Sequence, residues 1–428
     1  MINRTLTSVE AADRLGIKPA SLYSYVSRGL LHPERSPQGS RFDLQEVVEL
    51  SRSARNPAGP GRPTRKQMRV QPTGARPGPR DPTFVTELTL IEENRLYYRG
   101  QDAVTLSRTR TFEQVAVWLW TGEWAAQSQD WVVPAAMTTS VERALSAVPD
   151  GVGLLERFMA AVVGAALGDD LRHDLNPSGV PVTGRALLAA LAGSLPGAGR
   201  EVGGSISRRV GQGLRPVAVG TAEGGPSPAL FEAVEAALVL ASDHELAPST
   251  LAARVAASFR ADPYAVVLTG LGPASGSWSA GSTGAPSEVE GLLYDAWELG
   301  PERAIGDRLR RGIETPHGFG MPLYPEGDPR GAELLSRLEG VGPPTRLELV
   351  RSVIRLGEER GFPPPNFDLG LGALSFCAGL VPGAGQAIFT VGKVAGWLAH
   401  AIEEYATPTR FRSRGDYVGA RPEDTPES

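Results

Sequence analysis

Residues 51 to 80, SRSARNPAGPGRPTRKQMRVQPTGARPGPR, carry eight basic side chains, no acid and almost no apolar periodicity. A stretch like this cannot join a packed core, because it removes too little apolar surface from water to offset the entropy of ordering its backbone. It reads as a basic flexible linker, and it divides the chain into a short front unit, residues 1 to 50, and a long body, residues 81 to 428. Charge divides the same way. Residues 1 to 80 hold 14 Lys or Arg against 6 Asp or Glu, whereas the whole chain has a net charge of -5. Only the front is electrostatically suited to a polyanion.

In the front unit Thr7 stands three residues before Glu10, and Val9, Ala12 and Leu15 follow at helical spacing. That is a capping box opening a short amphipathic helix that stops near Gly16. Pro19 and the small residues after it suit a second helix start, with Leu22 and Val26 facing inward. The two helices, the turn in SPQGSRF and the periodic segment FDLQEVVEL resemble the winged helix-turn-helix unit of the MerR and excisionase type. The most specific part is LGIKPASLYSYVSRGLL. The resemblance implies that Lys18, Ser21, Tyr23, Ser24 and Tyr25 lie on or near a recognition helix. It also implies that Arg28 meets a phosphate, that Arg41 beside Gly39 belongs to a small wing, and that the partner is double-stranded DNA. The residues by themselves also fit a helical docking module with a solvated basic face.

The body reads mainly as helices. VEAALVLASDHELA, STLAARVAASF, PSEVEGLLYDAWEL and GQAIFTVGKVAGWLAHAIEEY repeat apolar residues every three or four positions, with some strand expected near residues 83 to 98. At 41% apolar residues a chain of this length buries a substantial core. No window reaches eighteen uninterrupted apolar residues and the N-terminus lacks the apolar core of a signal peptide, so the expectation is a cytoplasmic protein away from membranes. Cys377 is the single cysteine, which excludes an intrachain disulfide, and its context LSFCAGLV suggests an inert buried thiol. No metal-ligand cluster is evident.

Several segments of the body occur in the order found in citrate synthases: ENRLYYRGQDAVTLSRTRTFEQVAVWLWTGEW, ASDHELAPSTLAARVAASF, GFGMPLYPEGDPR, PNFDLGLGAL, GWLAHAIEE and RSRGDYVG. The chain thus resembles that family over roughly residues 83 to 420. The resemblance implies a mainly α, two-domain helical fold, with a small subdomain at about 285 to 375 closing over the substrates, and a homodimer as the active unit. It implies that Asp368 in PNFDLG is the base that takes a methyl proton from an acyl thioester. By the same resemblance His244, Arg330, Lys393 and Arg412 hold a small dicarboxylate, Arg412 by reaching the neighbouring subunit. Lys393 stands where the pattern carries arginine and so lacks the planar fork.

Two positions depart from the pattern. Ser282, in STGA, stands where a histidine normally supports the thioester oxygen, and Met321, in GFGM, stands where a catalytic histidine faces the acceptor ketone. A thioether cannot donate a proton. His317, four residues before Met321, is a candidate replacement if the loop is displaced. His400 in GWLAHAIEE reads as a structural or interface residue. No tightly bound cofactor is expected; acetyl-coenzyme A or another acyl-coenzyme A enters as substrate or ligand.

Losing a positioned acid typically costs roughly 10²- to 10⁴-fold in rate. The departures at 282 and 321 therefore favour a catalytically degenerate body, a pseudoenzyme fused to a DNA-binding module that senses a dicarboxylate or acyl-coenzyme A. The alternative is a citrate synthase or specialised acyltransferase that condenses acetyl-coenzyme A with oxaloacetate or another carbonyl acceptor, with Asp368 as base and Ser282, His317 or ordered water in place of the missing donors.

Overall fold

The computed structural model describes residues 5–15, 17, 22, 25–26, 31–36, 39–43, 47, 84–125, 130–198, 204–216, 227–276, 286–409 and 411. The chain forms two compact units, Met1–Pro79 and Arg80–Ser428. In the first, strand Gly39–Asp43 pairs antiparallel with Thr5–Thr7 on one side and Glu34–Ser36 on the other. Helix Ser8–Leu15 supplies Ala11 and Ala12 to a small core with Leu22, Leu31, Phe42 and Val47, against which Tyr25 and Val26 pack. Arg41 lies in the central strand, opposite Thr7 and Glu34. Lys18, Ser21, Tyr23, Ser24, Arg28 and the linker 51 to 80 lie outside the described residues.

The second unit opens with an antiparallel sheet of Thr89–Glu92, Arg95–Tyr98 and Gln101–Asp102, within and just beyond the stretch where strand was expected. It is mainly α-helical from there. Asp102 caps helix Ala103–Thr109 by accepting from Thr105 N at 2.7 Å. Thr111 and Gln114 form a reciprocal capping box for Phe112–Thr121, and Gly122 ends that helix in the left-handed region. Among the described residues no helix is long and apolar enough to cross a membrane.

The last long helix, Ala384–Ala406, is buried on every side along most of its length, as its nearly continuous apolar sequence requires. It packs against helices Pro228–Ala241, Pro248–Ser258, Pro263–Ala274 and Phe367–Ala378. The approach is closest at Gly396, where an added Cβ would stand 2.2 Å from the carbonyl oxygen of Ser242. Only glycine permits that crossing, and the crossing brings Lys393 and His400 onto the SDHE segment.

Candidate active site

The GFG run and the PPPN segment are stitched together by two backbone bonds and one from the Asn366 side chain. Gly320 N donates to the Pro364 carbonyl at 2.8 Å, Asn366 N to Gly318 at 2.9 Å, and Asn366 Nδ2 to Gly320 at 2.9 Å. Gly320 does this at φ +78°, a conformation L side chains rarely adopt. Asn366 also caps helix Phe367–Ala378 by accepting from Leu369 N. Asp368 is therefore placed in the first turn of that helix, 4% exposed, beside the loop that carries Met321.

Asp328 ties a second helix to the same place. It caps Pro329–Ser336 through Arg330 N at 3.0 Å and accepts from Phe367 N at 3.1 Å. It also takes a two-pronged bond from the Arg330 guanidinium, at 3.0 Å from Nε and 2.8 Å from Nη2. Burial opposes the guanidinium charge, but Asp328 outweighs it and raises the arginine pKa further. Arg330 lies over the rings of Phe367 and Tyr324, at 4.8 and 5.5 Å from their centroids.

The SDHE turn is fixed from the other side. The hydroxyl of Tyr98, in the YRG segment, lies 3.1 Å from the carbonyls of Val239, Leu240 and Asp243. The Asp243 carboxylate is fully buried and accepts from Lys393 Nζ at 3.1 Å, His400 Nε2 at 3.1 Å and Thr89 Oγ1 at 2.5 Å. Burial would raise its pKa, yet Lys393 and His400 hold it far below the usual carboxylate range. Burial also pulls the Lys393 ammonium below its ordinary value, against the attraction of Asp243. Arg254 lies 2.9 Å from His400 Nδ1; burial would lower the His400 pKa, but Asp243 raises it above the ordinary value.

These elements meet at a cavity of about 250 Å³, just below the range typical of drug-sized ligand sites, roughly 300–1,000 Å³. Asp368, Arg330, Lys393, His244 and Glu245 line it, together with Met321, Leu323, Phe367 and Phe389. His244 is held by Tyr324, whose hydroxyl oxygen is 3.0 Å from Nε2. Burial, with Arg330 and Lys393 nearby, keeps the imidazole neutral, its pKa well below the ordinary value. Burial likewise raises the pKa of Glu245. The cavity thus offers a carboxylate able to take a proton, a neutral ring able to donate a hydrogen bond, and two buried cations.

The structure brings together five residues singled out from sequence: Asp368, His244, Arg330, Lys393 and Met321. His317 is half-buried and is not among the cavity's lining residues, while Ser282 and Arg412 lie outside the described residues. His400 belongs to the Asp243 network. Sequence reading passed over Asp243, Tyr98 and Tyr324. The first is visible only as the neighbour of His244 in SDHE, and the second only as part of the YRG turn. The third sits three residues after Met321 with nothing local to mark it.

A mainly α-helical unit carries this cavity, and comparison with known proteins shows its family. The profile described as citrate synthase, C-terminal domain, matches residues 81–414. The chain belongs to the citrate synthase family. It is 27% identical to citrate synthase of Mycolicibacterium smegmatis over 366 residues, 79% of this chain and 92% of that one. It is 26% identical to 2-methylcitrate synthase of Mycobacterium tuberculosis, over 79% of this chain and 88% of the relative. Among solved structures, the Thermoplasma acidophilum citrate synthase in ternary complex with carboxymethyl coenzyme A and oxaloacetate shares the fold at TM-score 0.62 and 19% identity. That match covers 79% of this chain and 94% of the other. The Thermotoga maritima citrate synthase does so at TM-score 0.60 and 21% identity.

These findings overturn the expectation of a degenerate, DNA-tethered metabolite regulator. Relatives aligned along most of their length are named as synthases. The expectation rested on two side chains weighed against a whole fold. The residues read as holding the substrate, His244, Arg330 and Lys393, line one cavity with Asp368.

Proposed function

We propose that the protein condenses an acyl-coenzyme A with a 2-oxo acid, and that acetyl-coenzyme A and oxaloacetate are the pair to test first. The observation that carries this reading is Asp368 in one cavity with His244, Arg330 and Lys393. Asp368 takes a proton from the carbon next to the thioester. That carbon then forms a bond to the ketone carbon of the acceptor, and the carbonyl electron pair becomes an alkoxide that takes up a proton. Water cleaves the thioester and releases the coenzyme A thiol. Arg330, fixed by Asp328, and Lys393, fixed by Asp243, receive the acceptor's carboxylate charge.

The active unit in this reading is a homodimer in which Arg412 reaches the other protomer's cavity, and residues 285 to 375 form a small subdomain that closes over the substrates. Free-thiol release followed with both substrates tests the reaction. Turnover by the wild type that falls at least 10²-fold in Asp368→Asn supports it; no turnover with any acyl-coenzyme A and 2-oxo acid pair refutes it.

A further inference from the structure

The condensation needs a hydrogen-bond donor at the acceptor's carbonyl oxygen, and the Met321 thioether beside the cavity cannot be one. The contact between His244 and Tyr324 offers another. Tyr324 is 2% exposed, and among the described residues its hydroxyl makes one hydrogen bond, to His244 Nε2 at 3.0 Å. If Nε2–H were the donor, the phenol hydrogen would be left without an acceptor in a buried place. If the phenol donates, both groups are satisfied. The second arrangement leaves an unprotonated Nε2, so a neutral ring carries its hydrogen on Nδ1. That nitrogen makes no hydrogen bond among the described residues, and it is not one of the buried polar atoms lacking a partner. The ring itself lines the cavity.

We infer that Tyr324 holds His244 as the Nδ1–H tautomer and that His244 donates this hydrogen to the acceptor's carbonyl oxygen, in place of a donor at position 321. Tyr324 is then a positioning residue and His244 a catalytic one. The inference rests on the condensation reading and adds the donor that it lacks. A neutral imidazole suits this role because it stabilises the alkoxide without giving up its proton, and the alkoxide takes its own from water. Burial together with Arg330 and Lys393 favours the neutral ring. Asp368, Glu245, Arg330 and Lys393 are the other charged groups lining the cavity; the Arg330 guanidinium lies over the Tyr324 ring at 5.5 Å, and the hydrogen bond of the Tyr324 hydroxyl among the described residues is the one to His244.

The test uses the full chain labelled with ¹⁵N-histidine. The chain has five histidines, so the ring signals are few, and His244 is assigned by its loss in His244→Asn. The wild type is expected to show His244 neutral with Nδ1 protonated at pH 7, and its Nδ1–H signal is expected to move when oxaloacetate alone is added. Tyr324→Phe keeps the ring and removes the hydroxyl. It is expected to lose the single tautomer and to lower kcat by up to roughly 10²-fold, with KM for the acyl-coenzyme A unchanged. An Nε2–H tautomer in the wild type, or a His244 signal indifferent to saturating oxaloacetate, overturns the inference. So does a Tyr324→Phe enzyme with wild-type kcat while Asp368→Asn is inactive, an outcome that leaves the condensation reading standing. A wild type without turnover refutes that reading instead, and the nitrogen signals judge the tautomer by themselves.

Discussion

Asp243→Asn removes one charge from a site where water cannot replace it. The carboxylate and the Lys393 ammonium are both fully buried 3.1 Å apart, and His400 Nε2 and Thr89 Oγ1 complete the carboxylate's partners. Asparagine keeps the shape but leaves the ammonium buried without a counter-ion. Breaking a buried pair in this way costs about 3–5 kcal/mol. If the charge is the cause, removing the lysine as well should recover much of the loss, so Asp243→Asn with Lys393→Met is expected to be more stable than Asp243→Asn by about 2–4 kcal/mol. Urea unfolding followed by tryptophan fluorescence measures both variants, with the midpoint compared at constant slope. The acid limb gives a second sign. Asp243 has its folded pKa depressed, so its contribution is present above the unfolded pKa, near 3.9, and is lost as pH falls through the lower folded value. Asp243→Asn should flatten the loss of stability below about pH 4. A single variant within about 1 kcal/mol of wild type, or a double variant no better than the single, would refute the assignment of Asp243 as the counter-ion that makes a buried Lys393 tolerable.

Glu235 has its carboxyl pushed up to about 7 by burial and by Glu113, against bonds from Ser207 and the Phe112 backbone N–H. Because the folded state keeps this proton after the unfolded state has lost it, stability falls as pH rises from the unfolded value near 4.5 towards 7. The loss is roughly 3 kcal/mol, and Glu235→Gln should abolish that slope in unfolding measured from pH 4.5 to 8. Gly396→Ala places a Cβ against the Ser242 carbonyl where the helix crossing is tightest, and should cost at least 1–3 kcal/mol in the same unfolding experiment. Gly291→Ala, at an exposed helical position where the nearest atom to the added Cβ is Arg308 Nη2 at 3.9 Å, serves as its control and should be neutral or slightly stabilising.

What could be read from the chain depended on how far apart the partners lie. Helices with strong apolar periodicity, such as Ala384–Ala406, were legible because the signal is local. Asp368, His244, Arg330, Lys393 and Met321 were legible because each sits inside a short segment of recognisable order. The bonds that fix them were not. Tyr98 reaches Asp243 across 145 residues, Lys393 and His400 reach it across 150 and 157, and Tyr324 meets His244 across 80. No spacing rule connects such pairs. The functional expectation leaned on what is locally visible: Met321 shows as a missing donor, whereas the contact of His244 with Tyr324, in the cavity that Met321 also lines, has no local signal.

Carbon-carbon bond formation can be watched directly by incubating the wild type with [2-¹³C]acetyl-coenzyme A and oxaloacetate and following the labelled carbon by NMR. The expected result is a methylene carbon in a new tricarboxylic product, formed by the wild type and absent with Asp368→Asn. Label that stays in the thioester, or that appears only as acetate from simple hydrolysis, would contradict a condensing role for this cavity.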